Sequence, residues 1–250
     1  MGSTAHKKLA IIAALEHEIR PLVKSWPSSR FQHEGREFTF YEGEHTVVVC
    51  GGIGSEAARR AAQGAIMNYS PQFLISAGLA GALVSELKVG DTIFPATVID
   101  ARDGSRHQTV IQNAPVGNTS LGRTILASYP EIASVEQKLQ LAKSYGAHAV
   151  DMEGAAVARA AQAHQLSFLA VKAISDDVNF ELPEMARFIR DGHFGIAKFL
   201  LYIIPRPWLW LRVVRLARNA RLASDNLCAW LRESALTNTI VPGTIERNQS

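Results

Sequence analysis

Four acidic residues stand where a chain of this pattern brings carboxylates together. The stretch from Ala149 to Asp177 reads AVDMEGAAVARAAQAHQLSFLAVKAISDD. A short apolar run meets Asp151 and Glu153, an Ala-rich helical segment follows, and an apolar strand pattern from Phe168 to Ile174 ends in Ser175, Asp176 and Asp177. This is strand, helix, strand with carboxylates after each strand. In an open parallel sheet the carboxyl ends of strands face ligands, so Glu153 and Asp176 can share one pocket. Local pattern alone leaves other roles open. Glu153 can be a first-turn acid that complements a helix dipole, and Asp176 a loop acid or N-cap.

The elements that must position these groups can be read in chain order. Leu9 to Leu15 is a buried-strand run, and Glu16 to Trp26 has helical spacing with Ile19, Leu22 and Val23 on one face. Phe38–Tyr41 and Thr46–Cys50 read as strands joined by a turn. Gly51-Gly52-Ile53-Gly54 then leads into a helix from Ser55 to Tyr69. A glycine cluster between strand and helix lets backbone N–H groups approach a ligand, although it is not the full GxGxxG pattern. Phe73 to Ala77 reads as a strand ending in a second small-residue turn, Gly78-Leu79-Ala80-Gly81. Strands are expected over Thr92–Ala101 and Gly122–Ala127, short β runs over Arg102–Val116, and a helix over Val135–Tyr145. The alternation predicts an α/β fold with a largely parallel or mixed central sheet.

Composition bounds the function. The 250 residues are 47% hydrophobic, which suits a globular protein with a real core. A formal net charge of +3 gives no broad basic field for nucleic acid. The charge is nonetheless uneven: from Pro205 onward there are seven Arg and three acids, a net of +4 that leaves the first 204 residues at −1. Two cysteines make no disulfide framework or zinc motif, the eight His show no ligand spacing, and a cytoplasmic setting is expected with no metal or organic cofactor.

After Asp177 the pattern changes. Glu184 to Ile204 reads as helix with a possible break at Gly192, and Trp208 to Arg232 as a second helix. In the latter, Leu209, Val213, Leu216, Ala220, Ala223, Leu227 and Leu231 form one stripe and five arginines the remaining arc. Phe199 to Val214 is the most apolar stretch, but a membrane span needs about 20 apolar residues, and this one holds two prolines and two arginines. Aromatic and Leu residues beside a basic amphipathic helix suit the membrane interface, while packing on the core or on a partner subunit is the competing use of the same stripe. A boundary is expected near 183, with residues 1–183 the catalytic domain, 184–233 a helical extension of it, and 234–250 a disordered tail.

LEHE, the GGIG and GLAG turns, KVGD, DMEGAAVA and KAISDD occur in this order between Leu9 and Asp177. Together they resemble the nucleoside phosphorylase/nucleosidase superfamily, in particular the methylthioadenosine/S-adenosylhomocysteine nucleosidases. The resemblance implies a mixed twisted sheet flanked by helices and assembly as a homo-oligomer. The C-terminal Arg206-Pro207-Trp208-Leu209-Trp210, followed by the Arg-rich helix, is similar to the hopanoid-associated phosphorylase branch, which implies adenosylhopane as substrate and contact with a membrane surface through Trp208–Arg232.

Cleaving an N-ribosidic bond builds positive charge on the sugar and negative charge on the base. The resemblance assigns Asp176 as the acid that protonates the leaving purine at N7, Ser175 as the residue that orients it, and Glu153 as acceptor for the ribose hydroxyls. It also assigns Met152 to the sugar, Ala80 and Gly81 to the substrate-binding turn, Phe168 to the adenine side, and Glu18 to the attacking water. As an acid near neutral pH, Asp176 is expected to need burial or a hydrogen bond to its neutral form. Phosphorylases of the superfamily carry Arg where this chain has Glu18, and another Arg and a Ser at the turn where it has Ser76 and Leu79. An acid repels phosphate and a leucine offers it no donor, so hydrolysis is expected over phosphorolysis, with Arg20 the remaining candidate should phosphate be a co-substrate. Two other readings stay open, a soluble methylthioadenosine/adenosylhomocysteine nucleosidase and a non-catalytic nucleoside-binding protein.

Overall fold

The computed structural model describes residues 9–110, 121, 123–181, 186–190 and 192–237. In order, its elements are β1 (Leu9–Ala13), α1 (Glu16–Val23), β2 (Ser28–His33), β3 (Arg36–Glu42), β4 (Thr46–Cys50), α2 (Ser55–Tyr69) and β5 (Phe73–Ala82). There follow β6 (Thr92–Ile93), β7 (Thr97–Asp100), β8 (Arg106–Gln108), β9 (Ile125–Ser128), α3 (Val135–Tyr145), β10 (Ala149–Asp151), α4 (Gly154–Ala163) and β11 (Ser167–Asp176). A short hairpin, β12 (Ile189–Arg190) with β13 (His193–Phe194), leads to α5 (Ile196–Ile203) and α6 (Pro207–Thr237).

The expected α/β architecture is present: a mixed sheet flanked by helices, with a C-terminal helix. The main sheet runs β2-β3-β4-β1-β5-β10-β9-β7-β8, and β11 lies against β5 along its length. β1 pairs in parallel with β4 and β5, and β5 in parallel with β11, so four carboxyl ends point the same way. Alternation along β1 sorts the core. Ala10 and Ile12 face the Ala-rich helices α2 and α4, while Leu9, Ile11 and Ala13 face α1 and the second half of α6.

Several expectations are corrected. The GLAG segment is not a turn; it is the interior of β5, and its residues are small because neighbours press on it. A Cβ on Gly81 would lie 2.8 Å from Asp176 Oδ2, and one on Gly78 3.3 Å from Glu18 Oε2. The described residues between 186 and 204 do not form one helix. Gly192 takes φ +75° in the β12–β13 turn, and α5 begins only at Ile196. The 92–101 strand is two pieces, β6 and β7, on either side of Phe94-Pro95-Ala96, a proline being unable to donate to the ladder. β2 went unread because it is a polar, mostly exposed edge strand without apolar alternation. α6 continues through 234–237, which were expected in the tail; residues 238–250 and 111–120 lie outside the described residues.

Candidate active site

The site forms where β10 and β11 flank the carboxyl end of β5. Ile174 lies opposite Ala80 and Asp176 opposite Gly81, with a register slip that leaves Ser175 as the extra residue. Such a bulge re-aims side chains. Here it lets consecutive residues cooperate, Ser175 Oγ donating to Asp176 Oδ1 at 2.7 Å. From the other side β10 runs antiparallel to β5, with Val150 opposite Gly81, which brings Asp151, Met152 and Glu153 to the same place. Glu18 arrives from the first turn of α1, directly after β1.

Glu153 is the N-cap residue of α4, but its side chain does not cap the helix. Asp151 Oδ2 accepts from Gly154 N–H at 2.8 Å, and Ser128 Oγ accepts from Ala155 N–H at 2.8 Å while donating to Asp151 Oδ1 at 2.6 Å. With α4 capped by those two residues, Glu153 is free to face the cavity. Its carboxylate accepts from Gly54 N–H at 2.7 Å. The GGIG amides therefore bind protein groups: Gly51 and Gly52 donate to Ala13 and Ala14, Ile53 donates to Gly192, and Gly54 holds Glu153.

A buried lysine underlies the carboxylates. Lys172 Nζ lies 2.8 Å from Asp151 Oδ2 and 3.0 Å from Ser76 Oγ, and the residue is 1% exposed. Burial works against its charge, but Asp151 and Glu153 outweigh burial and hold its pKa above the ordinary value. Breaking such a pair from one side typically costs about 3–5 kcal/mol. The two carboxylates above it are poorly solvated. Burial, then the Glu153 charge, pushes Glu18 up to about 8. Burial, then Asp151, also pushes Glu153 upward. A carboxyl that changes charge near neutral pH suits proton transfer at working pH.

Asp176 is 3% exposed and accepts at both oxygens. Oδ1 takes the Ser175 hydroxyl, and Oδ2 takes Lys138 Nζ at 2.5 Å, a group from α3 that also donates to Asp177 O at 2.9 Å. Gly81 makes room for Oδ2, and a Cβ at that position would lie 2.8 Å from it and displace it. Gly81→Ala is expected to lower kcat by about tenfold to a hundredfold, because a shift of about 1 Å in a reacting group costs on that order. Steady-state kinetics on the purified variant checks this; unchanged kcat would mean that Asp176 tolerates the displacement.

Glu18, Ala80, Gly81, Met152, Glu153, Ser175 and Asp176 all line one cavity of about 430 Å³. Phe168 does not. It sits at the start of β11, eight residues and roughly 26 Å of strand before Asp176, with its ring buried in the core, so its assignment to the adenine side is corrected. Ile132 and Ala133, with Glu131, are cavity-lining neighbours of Lys138 instead. Arg20 is exposed on α1 and borders a different hollow with Lys24 and Arg221. The remaining cavity wall comes from the C-terminal elements: Ile189, Phe194, Ile196 and Phe199, and Val213, Leu216, Ala217 and Ala220 of α6. Among the described residues, no three His, Cys, Asp or Glu side chains gather as a metal site.

Sequence reasoning missed Lys138 and Lys172. A signal existed for the second, a lysine in the middle of an apolar strand run. For Lys138 the only hint was its place on the apolar side of α3, three residues before the buried Leu141.

A sequence model of the Phosphorylase superfamily matches residues 8–131 and 118–194. The 5′-methylthioadenosine/S-adenosylhomocysteine nucleosidase of Shewanella loihica is 27% identical over 204 residues, covering 70% of this chain and 89% of that protein. The aminodeoxyfutalosine nucleosidase of Campylobacter jejuni is 25% identical over 195 residues, 68% of this chain and 85% of that one. Among solved structures, the futalosine hydrolase of Helicobacter pylori superimposes with a TM-score of 0.61 at 20% identity, over 91% of this chain and 98% of that chain. The 5′-methylthioadenosine/S-adenosylhomocysteine nucleosidase of Neisseria meningitidis gives 0.63 at 20% identity, over 92% and 99%. These two share the fold. The chain belongs to the phosphorylase superfamily and is an enzyme of its nucleoside phosphorylase and nucleosidase kind.

Proposed function

We propose that the protein hydrolyses the N-ribosidic bond of an adenine nucleoside whose sugar carries a bulky apolar group, with adenosylhopane as the substrate. One observation carries this reading: a single cavity is walled by Glu18, Glu153 and Asp176 and by the aliphatic faces of α5 and α6. The stripe read along α6 does two jobs in this account. Ala223, Leu227 and Leu231 pack on the core, whereas Val213, Leu216 and Ala220 are left to meet an apolar ligand. Asp176 acts as the acid for the leaving base with Ser175 orienting it, Glu153 accepts from the ribose hydroxyls, Met152, Ala80 and Gly81 contact the substrate, and Glu18 takes the proton of the attacking water.

Water is favoured over phosphate by charge. Five acids line the cavity (Glu18, Glu131, Asp151, Glu153 and Asp176), against one lysine, Lys138, which Asp176 already engages. Among the described residues that line the cavity, a phosphate dianion finds no free fork of donors. The substrates named in the similar proteins favour a second reading, a soluble methylthioadenosine or aminodeoxyfutalosine type of nucleoside.

Membrane contact is part of the first reading. No helix among the described residues is long and apolar enough to cross a bilayer. Leu201 is 73% exposed, Trp208 69% and Leu211 83%, at the end of α5 and the start of α6, with Arg206 and Arg212 close by in the chain. Apolar side chains flanked by arginines suit insertion at an anionic lipid surface. The test compares adenosylhopane carried in phosphatidylglycerol vesicles with the same substrate in detergent and with methylthioadenosine. The double variant Leu201→Ser/Leu211→Ser is expected to lose at least about tenfold on vesicles, since each buried Leu contributes about 1.5–3 kcal/mol, and to match the parent in detergent. Turnover of methylthioadenosine alone would select the soluble reading.

A further inference from the structure

Lys138, like His17 and Glu131, is a polar group of the cavity to which none of the roles above gives a task, and of the three it is the one that contacts Asp176. It is 1% exposed, on a helix whose neighbouring buried position is Leu141. Packing does not ask for a lysine there: burying an ammonium carries a desolvation penalty of several kcal/mol, and an apolar residue of similar volume would fill the space without it. The ammonium ends on Asp176 Oδ2, and its second contact is the carbonyl of Asp177, the next residue along. Both contacts are therefore made to the segment that carries the acid. The geometry also leaves a question that the acid's assignment does not answer. Asp176 accepts from Ser175 at one oxygen and from Lys138 at the other, and of these two donors only the lysine is a cationic acid.

We propose that Lys138 holds the proton that the leaving base receives, acting through Asp176. The inference rests on the nucleosidase reading given above. In the step, the bond between the anomeric carbon and the base nitrogen breaks and its electron pair stays on the base. The base takes a proton from Asp176 Oδ2, and Lys138 Nζ supplies that oxygen with its own. A water oxygen bonds to the anomeric carbon and gives its proton to Glu18. Lys138 ends neutral and Glu18 protonated; solvent returns the proton from one to the other after products leave. Lys138 is thus a positioning and proton-supplying residue behind the group that touches the base. Ser175 fixes the other oxygen, and Gly81, lacking a Cβ, leaves space for the carboxylate in this position.

A purely structural lysine would make a different prediction, and leaving-group chemistry separates the two. Adenine leaves poorly without a proton, whereas 4-nitrophenolate leaves unaided. Lys138→Met is expected to lower kcat on an adenine nucleoside by about a hundredfold, the usual loss for general acid catalysis. On 4-nitrophenyl β-ribofuranoside it is expected to lose no more than about threefold. Lys138→Arg, which keeps a cation on the carboxylate, is expected to recover part of the adenine activity. Should Lys138→Met fail to fold, Lys138→Gln provides the same comparison with a side chain that keeps a hydrogen bond but has no proton to give. Equal losses on both substrates would make Lys138 structural and overturn the proposal, and so would undiminished activity on both. A parent enzyme that cleaves neither substrate would overturn the nucleosidase reading itself. A parent active on both, with a Lys138→Met variant that matches it, would remove only the role of the lysine.

Discussion

Asp176→Asn is expected to cut turnover of an adenine nucleoside by about two orders of magnitude or more, with nucleoside binding largely kept. The amide preserves the shape and the Ser175 contact but cannot pass a proton to the base, and loss of a general acid costs about 10²–10⁴ in rate. The substitution also has a stability consequence. Lys138 and Asp176 are both almost fully buried, and the variant leaves the lysine without its anion. Removing one member of a buried pair costs about 3–5 kcal/mol. The variant is therefore expected to melt at a lower temperature than the parent, and the double variant Lys138→Met/Asp176→Asn to recover stability without recovering turnover. Turnover of Asp176→Asn within a few-fold of the parent, in well-folded protein, would remove Asp176 from the acid role.

Glu18→Gln is expected to cut kcat/KM by about a hundredfold or more at pH 8 and to erase the acid-side limb of the pH profile. The limb follows from burial. In the parent, Glu18 is pushed up to about 8, chiefly by desolvation and then by Glu153. A general base must be ionised, so kcat/KM of the parent should fall about tenfold per pH unit below that value. The observed midpoint belongs to the interacting Glu18–Glu153 pair rather than to either residue. The same perturbation sets the stability effect. A carboxyl raised in the folded state keeps a proton that the unfolded chain releases, so folding loses stability as pH rises from about 4.5 to about 8 and levels off above. Gln removes that penalty. The variant should melt higher than the parent at pH 8 and no higher at pH 4, a gain in stability paired with a loss of function. A melting point lowered at pH 8, or a pH profile unchanged from the parent's, would contradict the assignment of Glu18.

Much of the site was legible because its chemistry sits at strand ends. Asp176 and Glu153 could be placed in one pocket from strand-helix-strand spacing alone, and β10, α4 and β11 put them there. Glu18 follows β1 for the same reason. What stayed hidden depends on three-dimensional approach. GLAG looked like a turn because small residues favour turns, but here they make space for Glu18 and Asp176 inside a strand. The resemblance assigns Phe168 to the adenine side, yet strand direction carries it to the opposite end of β11. Lys138 lies 38 residues from its partner, and no local pattern ties a helix lysine to a distant carboxylate. The α6 stripe was visible as a stripe, but its division between core and cavity depends on where α6 crosses α1 and β11.

On the proposed mechanism this pocket adds water across an N-ribosidic bond. The direct measurement is adenine release from adenosylhopane in detergent, in ¹⁸O-labelled water, with and without phosphate, with the sugar product weighed by mass spectrometry. Phosphate-independent release, with one solvent oxygen in the sugar product, is the predicted result. A phosphorylated sugar formed only when phosphate is added would contradict the argument from Glu18 and the five cavity acids.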